Sequence, residues 1–287
     1  MYQSSRRSLM KLESISRAGK TWLFLVLLTV VFHTTATAQA PAAPQQADNT
    51  YQEGAILWTQ TSGEMRALAY QAFNIARLVL DRDLRTRRRS RLRRAVVVDV
   101  DETVLDNSRY QATLVKNHQH YDPQSFTSWV NRAEAAALPG AVEFLRYAVS
   151  RGARVFYITN RKLIEADATA ANLKKLGFPE VNNKTLLVRI DPHSSSKEPR
   201  RRLVSKDHRI VLLMGDNLND FAELFDKSKT VIDRIAATDL SKDQFGIKFI
   251  VLPNPMYGDW ESVIYGYNFT LTEKEKAEKR KAHLKTY

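Results

Sequence analysis

Five short apolar runs, at residues 95–98, 155–158, 185–190, 210–214 and 249–252, decide what this chain can fold into. They are built from Val, Ile, Leu and Phe with almost no polar alternation, which suits strands buried on both faces. Between them, 141–151 and 163–176 read as helices, the second closed by Gly177 as a C-cap. Buried strands alternating with helices predict an α/β fold, a Rossmann-like parallel sheet with helices on both faces. In such sheets ligands bind beyond the carboxyl ends of the strands.

The residues standing at those ends are not random. The first run is followed by Asp99-Val100-Asp101-Glu102-Thr103-Val104-Leu105-Asp106, and the second by Thr159-Asn160-Arg161. Lys197 lies in the segment after the third, and Gly215-Asp216-Asn217-Leu218-Asn219-Asp220 follows the fourth. One Asp after a strand is usually a turn former or a helix cap. Four such elements, each at a strand end or in the loop beyond it, put carboxylates, a hydroxyl and an ammonium on one rim. Packed carboxylates repel one another and take up protons unless a cation sits among them. The donors are oxygens, with no His or Cys, so the expected ion is Mg2+.

Upstream, Met65, Leu68, Ala69, Ala72, Phe73, Ala76 and Leu80 mark one apolar helical face, with Thr61 and Glu64 as an expected capping box. The stretch from Thr272 to Tyr287 is rich in Glu and Lys without an apolar stripe, and reads as a solvated, fraying helix. The chain has no cysteine, which excludes disulfides, thiolate zinc sites, a cysteine nucleophile and a lipid anchor on an N-terminal Cys. A net charge of +13 suits anionic ligands without choosing among them. The arginine-rich segment 82–94 has no interleaved aromatics, so it reads as a basic surface linker and no nucleic acid partner is expected. His118 and His120 read as part of a solvated loop.

The N-terminus is an address. Basic residues precede an apolar stretch at 21–32 and an Ala36-Thr37-Ala38 cleavage signal, while Ser5-Arg6-Arg7-Ser8-Leu9-Met10-Lys11 resembles a twin-arginine export signal. The expected organisation is a cleavable leader (1–38), a flexible Ala/Pro/Gln-rich tether (39–50), one catalytic domain (51–270) and a charged tail (271–287). The expected location is periplasmic or secreted.

The segments VVVDVDETVLDNS, YITNR, Lys197 and GDNLNDF together resemble the four motifs of the haloacid-dehalogenase-type (HAD) phosphatases. More closely, the chain is similar to the class C acid phosphatases, the lipoprotein e family of 5′-nucleotidases. The likeness extends to LWTQTSGEMRALAYQAFN, SFTSWVNR and LPNPMYGDWE. It implies a HAD core with a small, mainly helical cap, and a phosphate monoester substrate, a nucleoside monophosphate. Asp99 is then the nucleophile and Asp101 the general acid and base. Asp99, the Asp101 carbonyl and Asp216 hold Mg2+, Thr159 and Lys197 bind the phosphoryl oxygens, and Asp220 and Asn160 support them. Phe126 and Tyr257 are the expected rings that stack on the base, with Arg161 as a further substrate contact, while Trp129 and Trp260 read as core or cap packing. Two other roles share parts of this pattern: a cell-envelope binding protein for haem or another anion, and a phosphotransferase using the same aspartyl-phosphate.

Overall fold

The five apolar runs become one sheet. The protein is described by a computed structural model over residues 49–86 and 92–287. The expected leader, all but the end of the tether, and residues 87–91 of the arginine cluster lie outside them. The elements, in chain order, are α1 (Glu53–Thr61), α2 (Gly63–Arg85), β1 (Arg93–Val98), β2 (Leu105–Asp106), α3 (Ser108–Lys116) and α4 (Pro123–Asn131). Next come β3 (Ala136–Ala137), α5 (Ala141–Ser150), β4 (Arg154–Lys162), α6 (Ala166–Lys175), β5 (Leu186–Arg189) and α7 (Glu198–Asp207). The chain ends with β6 (His208–Gly215), α8 (Glu223–Asp226), α9 (Val231–Leu240), β7 (Phe249–Val251), α10 (Asp259–Ser262) and α11 (Glu273–Ala282).

The strand order is β5-β4-β1-β6-β7 and every pairing is parallel. The central strand β1 shows why an apolar run without alternation is required. Val96 and Val98 face one way, into a core with Phe73 and Leu80 of α2, Leu145 of α5 and Leu173 of α6. Ala95 and Val97 face the other way, toward Val204 of α7, Phe225 of α8 and Ala237 of α9. Both faces are dry, so both need aliphatic side chains. Gly177, at φ 82°, ends α6 as expected, with its own N–H and that of Phe178 satisfying carbonyls of the last turn.

Three local expectations change. The cap of α2 is Ser62, whose hydroxyl accepts from Met65 N at 3.0 Å; Thr61 instead ends α1 and bonds back to the Leu57 carbonyl. The chain breaks there because α1 and α2 are separate helices, and α1 buries only Ile56 and Thr59, too little to leave a visible stripe. The last helix, α11, does not stand free. Thr272 and Glu275 form its capping box, and Arg280 lies 3.7 Å above the Tyr51 ring. Finally, the cap region contains α3, α4 and a two-stranded antiparallel ladder, β2 with β3. Each of those strands is two residues long, below what periodicity can register.

Candidate active site

Strand β1 delivers Asp99 to the rim, where its amide donates to the Met214 carbonyl of β6 at 2.9 Å. The chain then turns back sharply. The Val104 and Leu105 amides both donate to the Val100 carbonyl, and Glu102 sits at φ 53° in the left-handed region. A glutamate there is strained. It is held by its own carboxylate, which accepts from Asn107 N at 2.8 Å and from Asn107 Nδ2 at 3.3 Å.

Asp99, Asp216 and Asp220 converge, with one carboxylate oxygen of each lying within 4.8 Å of the others. Lys197 enters the same space. Its Nζ donates to Asp99 Oδ1 and, at 2.6 Å, to Asp220 Oδ1. Asp220 has no free oxygen, because Oδ2 accepts from Asn217 N at 3.0 Å. It therefore positions Lys197. Asp216 is steadied by Asn254 Nδ2 at 2.8 Å and faces Thr103 Oγ1 at 3.4 Å. Burial opposes the charge on Lys197, but Asp220 and Asp99 outweigh it and hold the ammonium protonated above its ordinary range.

One ammonium among three carboxylates, two of them buried and Asp216 half-buried, leaves the cluster over-charged. Burial, and then the Asp220 charge, push Asp216 up to about 7. Burial likewise lifts Asp99 well above the carboxylate range against the pull of Lys197, with Asp220, Asp216 and Asp101 adding to the rise. A hard divalent cation relieves that excess, and the oxygen-only donor set fits one.

Asp101 occupies a different environment two residues on. Arg161 grips it from Nε at 3.0 Å and from Nη2 at 2.7 Å, and Asn107 Nδ2 donates to it at 2.8 Å. Burial alone would raise this carboxyl, but the Arg161 charge and these hydrogen bonds lower it. Asn107 is the hub, because its Oδ1 also accepts from Trp129 Nε1 at 2.8 Å. Trp129 packs against the main core, as expected, and so ties the cap to the catalytic turn. Trp260 does not, since 46% of it is exposed.

The second strand end forms the opposite wall. Thr159 Oγ1 lies 3.4 Å from Asp101 Oδ2 and accepts from Arg161 N at 3.1 Å. Asn160 Oδ1 accepts from Arg200 Nη2 at 2.7 Å, and Arg200 Nη1 donates to the Thr159 carbonyl. Arg200, in the first turn of α7 after Lys197, thus braces this strand end. Burial lowers its pKa to about 10.

The two rings expected against a base each stand one link from Asp101. Phe126 lies beside Tyr110 and Tyr121, with the Arg161 guanidinium 5.8 Å from its centroid. The Tyr257 hydroxyl donates to Glu102 Oε2. Arg161 directs most of its donors to Asp101, Asn107 and Thr169, which holds its guanidinium against the Asp101 carboxylate. Sequence reasoning passed over Glu102, Asn107 and Arg200. The first two lie inside the VVVDVDETVLDNS motif, and their placement in it was the available signal; Arg200 had none.

A Rossmann-like sheet that gathers acids, a lysine and a threonine at the ends of β1, β4 and β6 defines a HAD-type phosphoryl-transfer enzyme. Residues 15–260 match the model of the HAD superfamily, subfamily IIIB (acid phosphatase), and the chain belongs to that family. Among solved structures it is similar to the class C acid phosphatase from Bacillus anthracis. Identity is 47%, the TM-score is 0.79, and the match covers 83% of this chain and 98% of that one. A tungstate-bound crystal structure of the Bacillus anthracis enzyme matches with the same values. The chain also resembles acid phosphatase 1 of Solanum lycopersicum, 28% identical over 166 residues, 56% of this chain and 57% of that protein. It resembles a stem 31 kDa glycoprotein of Glycine max, 27% identical over 168 residues, 56% of this chain and 58% of that protein. The matched region is thus little more than half the length of these plant relatives.

Proposed function

We propose that this chain is an exported, Mg2+-dependent phosphomonoesterase that hydrolyses nucleoside monophosphates through an aspartyl-phosphate on Asp99. The observation that carries the reading is the pairing of two unlike carboxylates on one turn. Asp99 is buried against Lys197, while Asp101 is gripped by Arg161 and Asn107. Environments this different suit two different roles.

Asp99 attacks phosphorus as the bond from phosphorus to the ester oxygen breaks, and the protonated form of Asp101, which Arg161 confines to the acid side of the pH range, gives its proton to the departing alkoxide. Asp101, now ionised and held by Arg161, takes a proton from water, which attacks phosphorus, releases phosphate and restores Asp99. Lys197 and Thr159 hold the phosphoryl oxygens while charge shifts onto them. The Asp99 and Asp216 carboxylates and the Asp101 carbonyl would hold the ion, which supplies charge neutralisation between the carboxylates and the phosphate. Binding of tungstate by the Bacillus anthracis relative supports an oxyanion site of this kind. Phe126, beside Arg161, and Tyr257, bonded to Glu102, are the surfaces for a nucleoside leaving group.

Phosphate release from AMP, with and without EDTA, tests the reading on wild type and Asp99→Asn. Wild type turns over and loses at least about 100-fold with chelator, and Asp99→Asn is silent in both. Turnover by Asp99→Asn, or turnover indifferent to chelator, would overturn it.

A further inference from the structure

Two segments far apart in the chain, the 49–52 turn and α11, both touch the α3–α4 loop and both connect to the region around Tyr257. Asn49 Nδ2 donates to the Gln119 carbonyl at 2.9 Å, and Gln52 Nε2 donates to the Met256 carbonyl at 2.9 Å. Gln119 lies in the α3–α4 loop that leads to Phe126, and Met256 immediately precedes Tyr257. The donors are held on one tight turn, closed by Gln52 N on the Asn49 carbonyl at 3.1 Å. A rigid piece that grips two loops fixes the gap between them.

Helix α11 reaches the first of these loops and the helix that follows the second. Glu273 Oε1 stands 3.6 Å from His120 Nδ1, beside Gln119. Arg280 covers the Tyr51 ring at 3.7 Å and donates to the Tyr265 hydroxyl at 2.7 Å. The Tyr51 and Tyr265 hydroxyls both donate to Glu261 Oε1, at 2.8 and 2.5 Å. Glu261 is buried on α10, the helix that follows the Tyr257 loop. Arg280 therefore locks Tyr51, Tyr265 and Glu261 into one cluster.

We propose that the 49–52 turn and α11 are a spacer that sets the distance between the α3–α4 loop, which leads to Phe126, and the Tyr257 loop. Gln52 and Arg280 are its positioning residues, serving a flat aromatic leaving group between the two rings. The proposal rests on the reading of those rings as substrate-facing. It extends the working enzyme beyond residue 260, where the family match ends, into a helix with no buried residue of its own.

The test uses the full chain with Gln52→Ala, Arg280→Ala and Arg280→Lys, kinetics on AMP and on glycerol phosphate, and amide hydrogen exchange. In Gln52→Ala and Arg280→Ala, KM for AMP rises about three- to tenfold, the worth of one stacking contact. Their kcat for AMP and their kinetics on glycerol phosphate stay at wild-type values. Exchange in both loops, at 119–121 and 256–258, speeds up at least about tenfold while β1, β4 and β6 stay protected. Arg280→Lys, which keeps a cation over Tyr51, restores part of each effect. Unchanged exchange in both loops, or equal losses on the two substrates, overturns the spacer. If wild type treats AMP and glycerol phosphate alike, the nucleotide reading fails instead, and the exchange result alone decides the spacer.

Discussion

Gly215→Ala strikes the site without touching a charged residue. A Cβ at Gly215 would stand 2.2 Å from Asp220 Oδ2, 2.5 Å from Asp220 Cβ and 2.6 Å from Asp220 Cγ. Carbon atoms pack comfortably at about 3.5–4 Å, so each contact is short by about 1 Å. Asp220 cannot swing aside. Its carboxylate is spent on Lys197 and the Asn217 amide, and its carbonyl accepts from Arg201 Nη1 at 3.0 Å. The turn at Leu218–Asp220 must move as a body and release Lys197 from one of its two carboxylates. Overpacking costs about 1–3 kcal/mol, and a lost hydrogen bond adds about 1 kcal/mol. At about 2–4 °C per kcal/mol for a domain of this size, Tm falls by about 4–16 °C. Displacing Lys197 by about 1 Å lowers kcat by about 100-fold. Thermal melts and phosphate release at saturating substrate read both effects. Gly63→Ala is the control: nothing lies within 4 Å of its Cβ, it opens α2, and stability holds or rises with activity unchanged. A Gly215→Ala enzyme with wild-type kcat and Tm would refute the claim that Asp220 aims Lys197.

Two further predictions concern protons. Asp216 rises from 3.8 to about 7 in the metal-free protein, chiefly through burial. The folded state therefore keeps a proton that the unfolded chain releases, and metal-stripped protein loses stability as pH rises from about 4 to about 7. Added Mg2+ restores Tm above that window and does little below it; melts across pH with and without the ion test this, and a pH-independent metal effect would contradict it. Arg161→Gln removes the charge that counters burial and lowers Asp101. Asp101 then keeps its proton to higher pH, so the basic limb of the kcat–pH profile moves upward while peak kcat falls about tenfold or more as the acid loses its grip. An unmoved limb would separate Arg161 from the acid.

The sheet was legible because a strand buried on both faces leaves only aliphatic choices, and all five runs at 95–98, 155–158, 185–190, 210–214 and 249–252 reappear as paired strands. Their bounds move by a few residues. Strand β4 runs on to Lys162, past Thr159, Asn160 and Arg161, because a strand can end among polar groups that find partners in the site. The convergence of Asp99, Lys197, Asp216 and Asp220 followed from parallel pairing: two strand ends, those of β1 and β6, and one helix start share an edge. What pairing cannot convey is which acid each cation takes. The bond from Arg161 to Asp101 depends on how β4 overruns the turn after β1, which no local pattern records.

The 49–52 turn and α11 were illegible for a different reason. Asn49 and Gln52 work by donating to main-chain carbonyls 70 and 204 residues away, and a carbonyl offers the same acceptor whatever side chain stands above it. Such a contact leaves no mark on the composition of either partner. Arg280 is hidden in the same manner, one cation in a Lys-rich helix that has no apolar stripe to announce docking. Periodicity detects burial of apolar area, and these contacts bury little. They act instead by fixing separations, which is a property of the folded chain and has no counterpart in local pattern. Elements that carry chemistry and elements that hold it in register therefore differ in how they appear. The first cluster as acids at strand ends, and the second emerge only when distant amides and carbonyls are seen to meet.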